Sequence, residues 1–322
     1  MNQHFLEKCQ PAPGFVPVNM ATGANTGKRF DMSTWHRCAI ILFKGAGNAA
    51  EDPTITVLQH NAAADGTSKA LNFTEVRHKT GTLASVAQFT TVTQAVGNTY
   101  TASALGDGQA IVVIDIKAED LDTDGGFSYI SADVADVGTN SQVGCIIYCP
   151  HEPRYGGGQM NQHFCEKFEI IAGFAPVDMS ASSGPTSDVV SMKHFGRCAA
   201  VLFAGVGTNG QDTTVTAKQS ALVGGTPANL TFTRIDIKQA VDIDNAPTFT
   251  PVANTDHDYV NTDSGESQYI WVVDVKAEDL DEGKDSFALT VNDHGAAKLG
   301  GLLYFLHEPR YGKATLPGAI AD

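Results

Sequence analysis

Few residues in this sequence have the spacing of a chemical site, and the first to consider is an acidic run. Asp120, Asp122 and Asp124 alternate along the chain and Gly125 follows them, which is how an EF-hand loop begins to wrap calcium. The twelfth position of that motif requires a bidentate glutamate, but Ser131 stands there. Because Asp and Gly are also the residues that tight turns select, we predict an acidic turn, with a weak cation site as the open alternative.

A second pattern, His-Glu-Pro-Arg-Tyr-Gly, begins at His151 and again at His307. Its His-Glu pair resembles half of a zinc-protease motif, which needs a second histidine one helical turn later. Pro153 and Pro309 follow directly, and proline cannot lie inside such a helix without a cost of about 3 kcal/mol. We therefore predict a fixed exit of the chain, packed on its own domain or on a neighbour, rather than a metal site.

Enzyme signatures are otherwise weak. The sequence has no Gly-x-Ser-x-Gly elbow, no Walker loop and no dinucleotide fingerprint. Folding could pair Asp115 with Glu119, and Asp274 with Glu278, which keeps a carboxylate-based hydrolase open as an alternative. Neither pair has a supporting third residue, so we predict a protein that is not an enzyme and that needs no cofactor and no metal.

The six cysteines show no Cys-x-x-Cys pair. Cys38 and Cys198 lie inside apolar runs, where a thiol behaves as a small hydrophobic side chain. The first residues lack the basic and apolar regions of a secretory signal, so we expect folding in a cytoplasm, where disulfides are rare. Buried, reduced and inert thiols are predicted, and a metal or redox role is the alternative.

The elements that must position these residues occur twice in the chain. Met-Asn-Gln-His-Phe at Met1 recurs at Met160, and Lys-Ala-Glu-Asp-Leu-Asp at Lys117 recurs unchanged at Lys276. A period of about 160 residues exceeds that of solenoids and propellers. The sequence therefore predicts two complete domains, residues 1–158 and 159–322, joined at a run of three glycines.

Each copy reads as a series of short strands. Segments of about four to eight residues, rich in β-branched and aromatic side chains, end at Gly, Asn, Asp or Pro, and only Lys-Ala-Glu-Asp-Leu suits a short helical turn. The predicted strands include residues 55–59, 71–74, 110–116, 143–149, 214–219, 230–233, 270–275 and 299–306. We predict an all-β fold of two tandem antiparallel β-sandwich domains, jelly-roll-like, with about eight strands per copy.

Charge and hydropathy exclude two classes of partner. The formal net charge is -15 and the isoelectric point is near 4.9, so a phosphate backbone would be repelled and no nucleic acid is expected. Apolar runs fall far short of the roughly 20 residues that span a bilayer, so no membrane partner is expected.

The order of motifs resembles that of small virion structural proteins of tailed bacteriophages. The resemblance rests on the Met-x-x-(Trp/Phe)-x-Arg segments at Met32 and Met192, a strand of the Thr-Val-Thr type, the Lys-Ala-Glu-Asp-Leu-Asp block and the Tyr-Gly pair near the end of each copy. It covers both copies almost end to end. Head decoration (cement) proteins, which sit on the outer capsid and brace capsomers, are the best match within this class, although such proteins are often single-copy.

The resemblance implies a location on the virion exterior, after synthesis in the host cytoplasm, and as partners the major capsid protein and neighbouring copies of this chain, with a homo-oligomer left open. Aromatic and arginine side chains at the repeated ends are of the kind that anchors interfaces. We predict these ends as the contact residues: Asn2, Gln3, His4, Phe5, His151, Arg154, Tyr155, Asn161, Gln162, His163, Phe164, His307, Arg310 and Tyr311.

Beside the hydrolase, three further alternatives remain at this point. The ends could instead fold back on their own domains. The protein could belong to a phage tail or tail adaptor rather than to the head. It could also be a glycan-binding jelly-roll module, although Trp35 and Trp271 lie at unmatched positions, which argues against a duplicated sugar site.

Overall fold

The structure, a computed structural model, describes residues 3–48, 51–85, 88–101, 107–154, 162–180, 184–243, 248–310 and 316. The first half contains β1 (Ala12–Asn19), β2 (Phe30–Asp31), β3 (Trp35–Lys44), β4 (Thr54–His60), β5 (Ser68–Ala70), β6 (Phe73–Gly81), β7 (Thr90–Gly97), β8 (Thr99–Thr101), β9 (Gln109–Lys117), β10 (Tyr129–Val134) and β11 (Val143–Pro153). The second contains β12 (Glu169–Asp178), β13 (Val190–Ser191), β14 (Phe195–Ala204), β15 (Thr214–Ser220), β16 (Ala228–Asn229), β17 (Arg234–Ala240), β18 (Thr250–Ala253), β19 (Asp258–Val260), β20 (Gln268–Lys276), β21 (Ser286–Val291) and β22 (Leu299–Pro309).

In the described part of the chain, helical structure is limited to single turns. The helices α1 (Phe5–Lys8) and α2 (Phe164–Lys167) precede the first strand of each half. Short 3-10 turns occupy Met20–Thr22, Leu83–Ser85, Ala118–Asp120 and Ala277–Asp279. Among the described residues, no helix is long and apolar enough to cross a membrane.

Each half is a sandwich of two antiparallel sheets. In the first half, a six-stranded sheet has the order β1-β11-β3-β9-β6-β7, and a second sheet has the order β2-β10-β4-β5 with β8 also paired to β4. The second half repeats this topology as β12-β22-β14-β20-β17-β18 and β13-β21-β15-β16, with β19 paired to β15. The predicted fold class, two tandem antiparallel β-sandwich domains, is confirmed.

The two sandwiches share a third hydrophobic core. One core lies inside each sandwich, and a separate cluster combines buried side chains of both halves. This central cluster takes Ile41 of β3 and Val113 of β9 together with Val201 of β14 and Val272 of β20. The six-stranded sheets therefore face each other, and the molecule has four sheet layers with a five-stranded sheet on each outside.

Strand β3 shows how the sequence produces this arrangement. Ala39, Ile41 and Phe43 point into the central cluster, whereas Ile40 and Leu42 point into the core of the first sandwich. Because successive side chains of a strand alternate between faces, a strand buried on both faces must be apolar at every position. The unbroken apolar runs of β3 and β14 follow from this double burial.

Several strand predictions need correction. The described part of each half has eleven strands rather than about eight, since strands of two or three residues give no periodic signal. Residues 230–233 are not a strand but part of the loop between β16 and β17. Leu230 and Phe232 of this loop are buried in the core of the second sandwich. The helical turn predicted at Lys-Ala-Glu-Asp-Leu is confirmed in both copies as a 3-10 turn, where Asp120 accepts the backbone N–H of Lys117 at 3.1 Å.

Candidate functional site

The ends of the two halves meet at a reciprocal contact. We call residues 3–9 and 162–168, which contain α1 and α2, the first and second arm. The first arm lies on the second sandwich and the second arm lies on the first sandwich, so the halves exchange arms within one chain. A histidine caps each one-turn helix: His4 Nδ1 accepts from Leu6 N at 3.3 Å, and His163 Nδ1 accepts from Cys165 N at 3.2 Å.

A buried aspartate receives each arm. The backbone N–H of Phe5 donates to Asp274 Oδ2 at 2.7 Å, and in the matching contact the N–H of Phe164 donates to Asp115 Oδ2 at 2.8 Å. Both carboxylates are fully buried, on β20 and β9. Arginines at matching positions complete the two sites: Arg197 Nη2 lies 2.9 Å from Asp274, and Arg37 Nη2 lies 2.8 Å from Asp115.

The glutamates of the repeated His-Glu-Pro motif also hold the arms. Glu308 accepts from the backbone N–H of Gln3 at 3.0 Å and pairs with Lys8 Nζ at 2.9 Å. Glu152 does the same for the second arm, through the N–H of Gln162 at 3.1 Å and an ion pair with Lys167.

Both glutamates adopt a left-handed backbone, with φ of 57° for each. This region costs a side-chain-bearing residue free energy, and it persists where surrounding contacts fix it. The same strain therefore occurs at both arm-binding glutamates.

The charged groups at the arm contacts have shifted pKa values. Burial by itself would raise the pKa of Asp274, but His307 and Arg197 lower it to about 2. Burial acts in the same way on Asp115, whose pKa is nevertheless held below its usual range by His151, His163 and Arg37. Both carboxylates are therefore ionised at neutral pH.

Burial has the opposite effect on the pKa of the histidines around these carboxylates. Burial lowers the pKa of His4, His163 and His307, against the attraction of the aspartates. These imidazoles are held in the neutral form, in which each has an acceptor nitrogen for a neighbouring N–H.

Aromatic side chains fill the centre between the arms. Phe5 lies 5.1 Å from Phe305 and 5.6 Å from Phe168, and Phe164 lies 4.7 Å from Phe168, measured between ring centroids. The positions of Phe168 and Phe305 are taken in the first half by Cys9 and Cys149, whose smaller thiols are also buried. The centre is therefore asymmetric, because the second half contributes more of its aromatic side chains than the first half does.

A buried ion pair crosses the same interface. Lys79 Nζ of β6 lies 2.5 Å from Glu169 of β12 and donates to the carbonyl of Ile170 at 2.7 Å. Its counterpart, Lys238, donates to the carbonyl of Pro11 at 3.1 Å. Both lysines are almost fully buried, so each half places one buried ammonium group against the other half.

Backbone also approaches backbone closely between the halves. A side chain at Gly45 would place its Cβ 2.4 Å from the carbonyl oxygen of Pro176, and one at Gly205 would place its Cβ 3.1 Å from that of Pro17. Glycine at these two matching positions therefore permits the sandwiches to pack at this distance.

Most of the predicted contact residues in the described ranges lie at this interface between the halves. Phe5, Phe164, His151 and His307 are almost fully buried there, and Gln3, His4, Gln162 and His163 belong to the arms. The exceptions are Arg154 and Arg310, which are exposed at the ends of the two sandwiches, where their backbone N–H groups donate to Thr34 and His194. Asn2, Tyr155, Asn161 and Tyr311 lie outside the described residues, as does the predicted boundary at 158/159.

Sequence reasoning did not predict that Asp115, Asp274, Glu152 and Glu308 bind the arms. The sequence suggests Glu119 as a partner of Asp115, but Glu119 is exposed and pairs with Lys117 at 3.2 Å. The usable signal was a charged residue inside an apolar strand at matching positions of both copies, since a buried charge needs a specific partner.

The other candidate sites have structural explanations. Asp122 accepts from Gly125 N at 3.0 Å and pairs with Lys69, which makes the acidic run an ordinary turn. All six cysteines are buried and free, and burial raises the pKa of the Cys38 and Cys198 thiols. Among the residues that the structure describes, no group of three or more His, Cys, Asp or Glu side chains could hold a metal ion.

Comparison with known proteins finds similarity to solved structures. No model of a known protein family and no curated protein matches the sequence. Among solved structures, the N-terminal CBM22-1-CBM22-2 tandem domain from Paenibacillus barcinonensis Xyn10C matches with a TM-score of 0.21 and 10% sequence identity, covering 87% of this chain and 82% of that chain. At this TM-score, no ligand or activity of that protein is carried over to this chain.

Proposed function

We propose that the chain is a non-enzymatic virion structural protein of a tailed bacteriophage, a decoration protein that binds the outer capsid surface and stabilises contacts between capsomers. The observation that carries the proposal is the exchange of arms over a shared central core. It makes the chain a preassembled pseudo-dimer, in which two similar outer surfaces are held at one fixed spacing.

A pseudo-dimer suits a shell because a capsid repeats each docking site on neighbouring capsomers. Once one sandwich has bound, the second binding event is intramolecular, and avidity can exceed either affinity by about 10² to 10⁴. A rigid spacing between the sandwiches confines this gain to neighbouring sites at the matching distance. One chain that engages two capsomers would resist their separation.

Surface charge supports an outside position. The net charge of -15 keeps crowded copies soluble and repels the packaged nucleic acid. Because the buried arms are already used within the chain, contacts with the major capsid protein or with neighbouring copies must come from exposed groups. Among the predicted contact residues, Arg154 and Arg310 have the exposure that this requires, and they lie at matching positions.

Gold-labelled antibody against the chain, applied to intact virions of the phage that encodes it, tests the proposal. We expect gold over the head, and antibody preadsorbed with the pure protein serves as the control for specificity. Gold confined to the tail would contradict a head position and favour the tail alternative. The absence of gold, with an antibody shown to bind the native protein, would contradict a virion role altogether.

A binding assay then tests the docking surface. Capsids from a phage that lacks the gene are mixed with pure protein and sedimented. We expect the R154A/R310A variant to sediment less with capsids than the unchanged protein does. The matched control is K117A/K276A, which removes two lysines at matching positions just before the repeated 3-10 turns and should bind normally. Equal binding of all three proteins would exclude the arginines as docking contacts.

A further inference from the structure

A cavity of about 880 Å³ lies where the first sandwich meets the second half of the chain. The first half contributes Asp31, Trp35 and Tyr129 to its wall, and the second half contributes Lys238 and Phe249. The first half therefore builds most of the wall and the second half completes it, and the cavity is distinct from the arm contacts described above.

Three polar groups in the wall are available to a ligand. Tyr129 lies directly opposite Asp31 in the β10–β2 pair, and Trp35 opens β3 beside them. Tyr129 and Trp35 are half-buried, and Asp31 is exposed. Within the described part of the chain, the indole Nε1, the phenol hydroxyl and Asp31 Oδ2 have no hydrogen-bond partner, while Asp31 Oδ1 accepts only from Ser33 N at 2.8 Å.

The basic groups of the wall are already bound to protein acceptors. Lys28 pairs with Asp242 at 2.6 Å, Arg29 donates to the carbonyls of Ala62 and Asp65, and Lys238 donates to the carbonyl of Pro11. A phosphate or carboxylate ligand would therefore have to compete with these acceptors. Aromatic faces beside one donor, one carboxylate and one hydroxyl suit a neutral polyhydroxylated molecule, since sugar rings stack on aromatic faces and their hydroxyls both donate and accept.

The second copy has lost each of these groups at the matching positions. Phe195 stands for Trp35 and is fully buried, Ser191 stands for Asp31, and Ser286 stands for Tyr129. The two copies keep the same strands here, so the fold does not require the first copy's side chains. The three groups are a specific property of one face of the molecule.

We propose that this cavity binds a neutral oligosaccharide, with Trp35 and Tyr129 stacking against sugar rings and Asp31 accepting from sugar hydroxyls. The proposal does not depend on attachment to a capsid, because the free chain contains the whole site. On a virion it would give each chain one sugar-binding site.

An array of neutral and sialylated oligosaccharides, probed with the full-length protein, tests the proposal. We expect binding to neutral members, and for the strongest of them a Kd that rises about tenfold or more in the Y129S variant, which loses one hydrogen bond and one stacking face. Y129S installs the residue of the second copy, so it should keep the fold. W35F, which installs the second copy's residue at another of the three positions, should also weaken binding.

The control is D258S, which removes an exposed carboxylate on β19 of the second half and should bind as the unchanged protein does. Binding to sialylated members alone would overturn the neutral assignment. Binding to no member of the array, or binding that Y129S, W35F and D258S leave equal, would overturn the site.

Discussion

Removal of the Phe5 ring tests how strongly the first arm joins the two sandwiches. Phe5 has no exposed surface, and its ring packs against Phe168 and Phe305 of the other half. Truncation of a buried phenylalanine to alanine costs about 3–5 kcal/mol, because transfer free energy is lost and a cavity remains. We therefore expect Phe5→Ala to lower the free energy of unfolding by about that amount.

Urea unfolding can locate the effect, because each half contains one tryptophan. In a W271F background Trp35 fluorescence reports the first half, and in a W35F background Trp271 reports the second. Since the Phe5 ring belongs to the first half but fills the second, we expect F5A to lower both unfolding midpoints together. F164A is the matched variant for the second arm, and L222A, at an exposed leucine, is the control.

A loss below about 1 kcal/mol would show that the arm is not docked as described. A shift of the Trp35 transition alone would show that the arm folds back on its own half, which is the alternative that the sequence left open.

Three further predictions concern the interface between the halves. Stability to urea should fall as the pH is lowered from 7.5 to 5.5, because burial lowers the pKa of His4, His163 and His307 in the folded chain. The unfolded chain then binds more protons than the folded chain below about pH 6.5, and an equal or higher urea midpoint at pH 5.5 would contradict this. Lys79→Met should cost about 3–5 kcal/mol because it leaves the Glu169 carboxylate buried without its ammonium partner, and K79M/E169L should recover most of that loss; the reasoning fails if the double variant is no better than the single one. Gly45→Ala should cost about 1–3 kcal/mol, since its Cβ would lie 2.4 Å from the Pro176 carbonyl oxygen, whereas Gly97→Ala, with 3.8 Å to its nearest neighbour, should be close to neutral in the same urea assay.

The repeated pattern of strands was predictable because its determinants are local. β-branched runs that stop at turn residues predicted β9, β11, β15 and β20 within one or two residues at most ends, and the repeat predicted that both halves share one fold. A short helical turn was also predicted at Lys-Ala-Glu-Asp-Leu, and the structure has a 3-10 turn at Ala118–Asp120, where Asp120 accepts the N–H of Lys117. The loop at residues 230–233 was wrongly predicted as a strand, because its pattern of buried side chains resembles that of a strand although it forms no hydrogen-bonded ladder.

The exchange of arms could not be predicted from such local signals. The two arms have nearly the same sequence, so either would fit either sandwich, and the choice depends on how the chain passes between the halves. The apolar runs of β3 and β14 did contain a clue, because continuous apolar sequence in an antiparallel strand indicates burial on both faces. Asp115 and Asp274 contained another, as charges repeated inside such runs.

Measurement of amide hydrogen exchange at the two arms tests the exchange of arms between the halves most directly. The N–H of Phe5 is bound by Asp274, and that of Phe164 by Asp115, so each arm depends on a carboxylate of the other half. We expect Asp274→Asn to reduce the protection of the Phe5 amide about tenfold or more while the Phe164 amide stays protected, and Asp115→Asn to do the reverse, since a charge-assisted hydrogen bond is weakened in each case. If Asp274→Asn instead released the second arm, or Asp115→Asn the first, the arms would lie on their own sandwiches and the preassembled pseudo-dimer would be wrong.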